Sequence, residues 1–450
     1  MKRFILEQSA TEFFTSHAGL ALVGLALNRF TDLRKQARTI PKRHGIPNIE
    51  LIRTFTGLLC LGKSDFEAVE QARGDRFFQA SLGIKQMPSS ARLRQRFDED
   101  APALIPLLDD ASIAFLARSE APITPLGTGH VALDMDVFPM DNSHTAKEGV
   151  SYTYKGHDGY APMAAYLGAE GWCLACELRE GKQNAQKEFG HVLERVVPRA
   201  RSLTDAPLLL RLDSAHDALG NRQWLARQED VDYLIKWNPR KEDPAAWLPR
   251  FEEEARWETP RPGKRIGVFS ALIDEKTGEK DAQGKAVTRP VRRVMRLIER
   301  TIDRRGQSLL LPEYELEAWW TSLDQRVASD EEIIALYRHH AISEQFHSEF
   351  KTDLDVERLP SGKFDTNDLV LAHATLAYNI LRWIGLMGLM ADDSPVRHKA
   401  KRRRLRTVIQ ELMYRAARLI ASGRRLHLRF SEHCRGFTAF ARVYHQLAGG

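Results

Sequence analysis

The sequence predicts an α/β protein in which a mixed sheet follows an all-α N-terminal region and precedes a basic helical tail. Three observations carry this. Apolar residues recur at helical spacing up to about residue 125, strand-like alternation interleaved with helices follows from about 127, and a run dense in arginine begins near 396. At 450 residues the chain exceeds what one hydrophobic core usually organises. The expected division is 1–125 helical, 126–237 first part of the sheet domain, 238–330 a β-rich insertion, 331–395 its second part, and 396–450 a basic C-terminal region.

Against 60 Asp and Glu stand 66 Lys and Arg, a formal +6 that is unevenly placed. Residues 396–430 hold twelve basic residues, among them Arg402, Arg403 and Arg404, and a single acid, Glu411; this local +11 leaves the rest of the chain at −5. A positive field at one end implies a polyanionic partner. Four cysteines argue against a disulfide scaffold, and Cys173-x-x-Cys176 has no second pair at zinc spacing, so both are expected to be strand residues in a reducing cytosol. Lys2 and Arg3 open the chain, but Glu7 and Glu12 interrupt any signal-peptide core, and the apolar run at 18–27 is about half a membrane span. The expectation is a soluble, cytoplasmic protein.

Between 66 and 97 the helices break at Gly74, Gly83 and Pro88, and Ser89 or Ser90 then caps a turn carrying Arg92, Arg94 and Arg96. That turn reads either as a helix-turn-helix entering a DNA groove or as a solvated amphipathic helix. Strands are predicted at 130–138, 161–167 and 171–179, a helix at 185–201, a strand at 207–213, a helix at 221–229 and a strand at 231–237. Three strands, helix, strand, helix, strand is the element order of the ribonuclease-H-like fold. Residues 238–330 carry strand-like pieces at 266–274, 291–300 and 314–322 and read as the insertion. A helix is predicted at 331–351, an apolar helix covering the sheet at 369–390, and a helical tail broken at Gly423.

Acidic residues stand at telling places in this frame. In the first strand Val131, Leu133, Met135 and Val137 share one face, leaving Asp134 and Asp136 on the other. Alternation buries Leu208, Leu210 and Leu212 and puts Asp213 at a strand's carboxyl end, where open α/β sheets bind ligands. On a continuous helix over 331–351, Tyr337, His340, Glu344 and Lys351 project within a wedge of roughly 60°. Converging carboxylates suit two divalent cations about 3.5–4 Å apart, which activate the attacking oxygen and stabilise the leaving one in phosphodiester displacement. Mg²⁺ prefers such hard oxygen ligands and needs few of them.

Tyr337-Arg338-His339-His340-Ala341-Ile342-Ser343-Glu344, continuing to Lys351, resembles the Tyr-x2-Arg-x3-Glu-x6-Lys signature of a large group of DDE transposases of bacterial insertion sequences, with His340 in place of the Arg. Leu133-Asp134-Met135-Asp136 and Leu210-Arg211-Leu212-Asp213-Ser214 are similar to the group's two Asp motifs. Lys147-Glu148-Gly149-Val150-Ser151 with Lys155-Gly156-His157-Asp158-Gly159-Tyr160 resembles insertion-sequence family thirteen-eighty. The resemblance spans about 127–383 and is interrupted by the insertion.

It implies that Asp136, Asp213 and Glu344 are catalytic and hold two Mg²⁺ ions, with Mn²⁺ as a substitute, Asp136 rather than Asp134 matching the family's first acid. It implies that Tyr337, His340 and Lys351 contact DNA phosphates near the scissile bond. Imidazole is mostly neutral at pH 7, so His340→Arg is expected to keep or raise cleavage. Family insertions shape the DNA end, which makes Trp319 and Trp320 candidates for stacking on unstacked bases, although alternation points one of them inward. Arg92, Arg94 and the Arg402–Arg404 run are the expected contacts to double-stranded DNA, both terminal inverted repeats and target, in a homodimer that holds two ends. Two other readings stay open: a ribonuclease-H-like nuclease without strand transfer, and a non-catalytic DNA-binding protein.

Overall fold

The computed structural model describes residues 5–6, 8–9, 11–41, 45–303 and 305–449. Lys2, Arg3 and Glu7, used above to judge the N-terminus, lie outside them.

The alternating segments form strands within a few residues of their expected places: β2 (Val131–Val137), β3 (Met163–Leu167), β4 (Trp172–Glu177), β5 (Leu208–Leu212) and β6 (Val231–Lys236), with helices α4 (Phe189–Arg201) and α5 (Leu219–Leu225) in the predicted gaps. β2, β5 and β6 run parallel, and β3 and β4 continue the sheet antiparallel. β1 (Phe13–Thr15), absent from the sequence-based expectation, belongs elsewhere.

Residues 238–330 do not form a separate β-unit. Their strands β7 (Arg256–Arg261), β8 (Lys264–Lys280), β9 (Ala286–Ile302) and β10 (Ser308–Thr321) extend the same sheet, because β10 pairs with β6 through Trp319 opposite Lys236. The result is one nine-stranded mixed sheet in the order β7-β8-β9-β10-β6-β5-β2-β3-β4. The apolar signal at 266–322 marked strands correctly but carried no information about their partner.

On the face of the sheet bearing Asp134 lie α6 (Asp330–His340), α7 (Ser343–Ser348) and α8 (Phe364–Leu389). Apolar on all sides, α8 is long enough to cross a membrane, yet 94% of its most apolar window is buried inside the protein. It runs between β4 and the N-terminal helices α2 (Asn48–Leu59) and α3 (Ser90–Arg118). Asn379 pins this stack: its amide receives Cys173 N–H at 3.0 Å, donates to Cys173 C=O at 2.8 Å and donates to Ser112 Oγ at 2.9 Å. The 1–125 segment therefore shares its core with the rest of the chain. Cys173 and Cys176 are buried free thiols of β4.

The C-terminal region is not the expected helical tail. Ala417–Ser422 (β11) and Arg425–Arg429 (β12) form a hairpin, and only then does a helix follow, α9 (Phe437–Ala448). Gly423 and Arg424 both take positive φ, the geometry of a tight two-residue hairpin turn, so the glycine read as a helix break is a strand reversal. β11 pairs with β1, which ties the two ends of the chain together.

Candidate active site

The parallel register decides where the acids meet. β2 and β5 place Met135 beside Leu212, so Asp136 and Asp213 follow side by side at the carboxyl ends of neighbouring strands, whose backbones run about 4.8 Å apart. Asp213 leaves the strand and caps the 3₁₀ turn Ser214–His216: its Oδ1 accepts from Ala215 N–H at 3.1 Å and pairs with His216 Nδ1 at 2.7 Å. Burial works against its charge, but His216, His340 and the Ala215 N–H together outweigh it and hold Asp213 below the usual carboxylate range. Asp213 Oδ2 accepts no hydrogen bond among the described residues.

Asp136 is in the opposite condition. Its side chain receives only the adjacent Val137 N–H, at 2.7 Å. Burial, then the charge of Asp213 and, more weakly, that of Glu344, push its carboxyl up to about 7. A carboxyl raised by burial and by two like charges is one that a cation beside it would lower.

Asp134, the other acid of that face, is already satisfied. It is 1% exposed, receives Arg211 through Nε at 2.7 Å and Nη2 at 2.6 Å, and pairs with His340 Nδ1 at 2.8 Å. Burial alone would raise it; Arg211 and His340 hold it ionised and low. His340 in turn is 5% exposed, and although burial disfavours its charge, the Asp134 contact raises it above the usual histidine value. This corrects the expectation of a neutral, phosphate-facing imidazole: a buried carboxylate stabilises the imidazolium, and the ring faces the protein.

The predicted helix over 331–351 is broken. α6 ends at His340, residues 341–342 form a turn, α7 carries Glu344 in its first turn, and Glu349–Asp353 is a π-helical turn. Different partners pin the two halves: His340 bonds Asp134, whereas fully buried Glu349 binds Arg382 and Arg402 at 2.8 and 2.6 Å. The helix that would carry the stripe is thereby broken, although Tyr337 still feels the charges of Asp213 and Asp136 and Lys351 still lines the cavity at Glu344. Tyr337 lies against Trp319 and His340 at ring distances of 6.0 and 5.7 Å. Lys351 is turned to Pro139 C=O at 3.2 Å and Glu357 at 3.4 Å. Glu344 is exposed, and a cavity of about 510 Å³ opens beside it, lined also by Tyr154, Lys155, His157 and Lys351.

Other expected DNA contacts are placed differently. Trp319 and Trp320 are 2% and 5% exposed; Arg296 lies 5.6 Å from the Trp319 ring, and Arg222 and Arg293 flank Trp320 at 4.5 and 4.9 Å. Both indoles pack in the sheet layers with guanidinium groups beside them. Arg402 is buried on Glu349, Arg403 donates to the carbonyls of Leu389, His398 and Val396, and Arg404 grips Asp353 at 2.8 Å. These arginines bind the protein itself because acids more than 50 residues away, and carbonyls at the end of α8 and in the segment after it, lie within their reach. Of the two serines expected to cap the turn, Ser89 does so, accepting from Arg92 N–H, but the helix it opens runs 29 residues and packs on α8. Arg92 is exposed and bonds Gln95; Arg94 is exposed and pairs with Glu67 at 3.4 Å.

Three residues of the site carry no role in the sequence analysis. Arg211 belongs to the second Asp motif, and its position two before Asp213 puts it on the same face. His216 stands three after Asp213, within reach of a turn. Tyr154, whose hydroxyl donates to Val137 C=O at 3.2 Å, feels the charges of Asp136, Asp213 and Glu344 and is raised well above the usual phenol value, mainly by burial. Nothing local in sequence marks it.

The family model described as Transposase DDE domain group 1 matches residues 10–449. The chain belongs to this family of DDE transposases. It is thus a DNA transposase and an enzyme of the DNA-cleaving kind, from a family whose domains generally use divalent metal ions. No curated protein matches the sequence. Among solved structures, the transposase is similar to a chain of the cryo-EM structure of the piggyBac transposase synaptic complex with hairpin DNA, at 10% identity and a TM-score of 0.41, covering 90% of this chain and 83% of that one. At that level the two chains share too little geometry for residue roles to be transferred. Among the described residues of the transposase, no three His, Cys, Asp or Glu side chains are gathered closely enough to grip a metal ion.

Proposed function

We propose that the protein is the transposase of an insertion sequence, with a ribonuclease-H-like core, that cuts at the element's terminal inverted repeats and joins the freed 3′-hydroxyls to target DNA. The observation that carries this reading is the pairing of Asp136 and Asp213 at neighbouring parallel strand ends, with the charge of Glu344 reaching Asp136, in a chain of the DDE family. Strand order supports the core assignment: the first three strands stand antiparallel on one side and the next two parallel on the other.

The donor set suits Mg²⁺ or Mn²⁺. Asp136 and Asp213 each keep one oxygen outside any hydrogen bond among the described residues, Glu344 keeps both, and all are hard oxygen donors. Bound there, two divalent ions would activate the attacking oxygen and stabilise the leaving one. The chain's own residues prepare this. His216 orients Asp213 and keeps it ionised, Arg211 and His340 neutralise Asp134 so that it does not add to the charge around Asp136, and the raised carboxyl of Asp136 favours any cation that can replace its proton. Double-stranded DNA is the substrate, a homodimer holds the two ends, and the site of action is the cytoplasm with its nucleoid.

The test uses the full chain with Mg²⁺ and DNA carrying the element's own ends. Asp213→Ala abolishes cleavage and leaves end binding largely intact; cleavage by this variant equal to wild type overturns the reading. Joining of precleaved ends separates a transposase from a nuclease without strand transfer, and metal-dependent product of any kind rules out a merely DNA-binding protein.

A further inference from the structure

On the side of the α6–α7 turn away from Asp136 lies a second cleft, of about 770 Å³. Its floor is Ala132 and Arg211, one wall is Leu126 and Gly127, and its rim carries Arg338, His339 and Lys401. No acidic side chain lines it among the described residues. Arg338, His339 and Lys401 are exposed and make no ion pair among the described residues, as do Arg397 and Lys399 just outside. They contrast with the neighbouring Arg402 and Arg404, which acids engage.

The rim is also built to stay in place. Residues 391–404 form no regular helix or strand, yet three successive arginines nail the end of the segment down: Arg402 to Glu349, Arg403 to three backbone carbonyls, and Arg404 to Asp353. With 402–404 facing inward, Arg397, Lys399 and Lys401 are left on the outside. Arg338 and His339 project from the last turn of α6, whose neighbour His340 is fixed to Asp134. Arg211, which lines the cleft, holds Asp134 and so links the cleft to the carboxylate site.

We propose that this cleft binds the phosphate backbone of duplex DNA, independently of base sequence, as a contact separate from the carboxylate edge. Exposed Lys, Arg and His offer cationic donors that suit phosphates. Gln345 is the one amide on the lining able to read a base edge, and it is bonded to Arg402 at 2.8 Å. The choice of DNA as ligand rests on the function proposed above; the location and charge of the cleft do not.

The experiment is anisotropy of the full chain on a labelled duplex of unrelated sequence, across a salt series without divalent metal. Removing one cation that neutralises a phosphate lowers the slope of log K against log salt by about 0.9. Arg338→Ala and Lys401→Ala are each expected to do so, their combination to lower it about twice as far, and Lys401→Arg to restore the wild-type slope. A double variant that melts at the wild-type temperature and keeps the wild-type slope overturns the proposal. So does one that keeps the slope but changes oligomeric state, which would assign the cleft to a second copy of the chain. Asp213→Ala, with its slope measured alongside, keeps the two ideas apart: failure of the cleavage reading appears as metal-dependent product from that variant and leaves the slopes of the cleft variants untouched.

Discussion

Arg211 holds Asp134 through two nitrogens, Nε at 2.7 Å and Nη2 at 2.6 Å, in a pair that is almost wholly buried, and it thereby leaves Asp136 as the free acid of β2. Removing one partner of a buried pair strands the other charge. Asp134→Ala is expected to cost about 3–5 kcal/mol of stability. Asp136→Asn is expected to abolish cleavage without lowering the denaturation midpoint in chelator. Denaturant titration of both variants decides it; equal destabilisation would mean that the two acids are not divided in this way.

Asp136 makes the metal-free protein sensitive to pH. Its folded carboxyl is raised to about 7 from an unfolded value near 3.9, so the folded state binds more protons between those limits. Stability contributed by the protonated form is full below about pH 4 and is lost as pH rises through about 7. His340, also raised, adds a loss of the same sign above about pH 6.5. Melting temperature in chelator is therefore expected to fall from pH 5 to pH 8, less steeply in Asp136→Asn, with Mg²⁺ restoring wild type at pH 8. An identical pH profile for wild type and Asp136→Asn would refute this.

At His340 the structure reverses the expectation drawn from the signature. A phosphate-facing guanidinium would steepen the salt dependence of DNA binding by about 0.9. Since the ring points at Asp134 inside the protein, His340→Arg is expected to leave that slope unchanged and not to raise cleavage. Anisotropy over a salt series, with cleavage rates, provides the check.

Trp319 and Trp320 are expected to behave as core residues. Substitution of either by Ala should cost about 3–5 kcal/mol. If thermal melting is unchanged while hairpin formation or cleavage is lost, the indoles face DNA after all.

Arg402→Ala removes one of two cations from the fully buried Glu349, and a loss of about 3–5 kcal/mol is expected, with DNA salt slope retained in whatever fraction stays folded. Lys401, the adjacent residue, is expected to show the opposite pattern, so one pair of variants tells an anchoring cation from a presenting one.

Much of the frame was legible. Alternation located β2 to β6 within a few residues, and the placement of Asp213 just past Leu212 identified a strand end. Periodicity also marked the three long strands of 264–321 while concealing that they join the same sheet. Illegible were the π turn at Glu349–Asp353, which follows from Arg382 and Arg402 closing on Glu349, and the hairpin at 417–429, where arginine-rich alternation looked like a charged helix.

The sequence by itself determined which segments alternate and which spiral, the order in which they come, and that Asp134 and Asp136 share one face of their strand, because these depend on residues within a turn or a strand of one another. Only the tertiary structure decided which acid is spent and which is free, that Arg402, Arg403 and Arg404 hold the protein together, and that both tryptophans are buried. Those outcomes depend on partners reached by chain crossing: Arg211 is 77 residues from Asp134, and Arg402 is 53 from Glu349. A side chain's charge is written in the sequence, but what neutralises it is set by the register of β2 on β5 and the packing of α7 on the segment that follows α8.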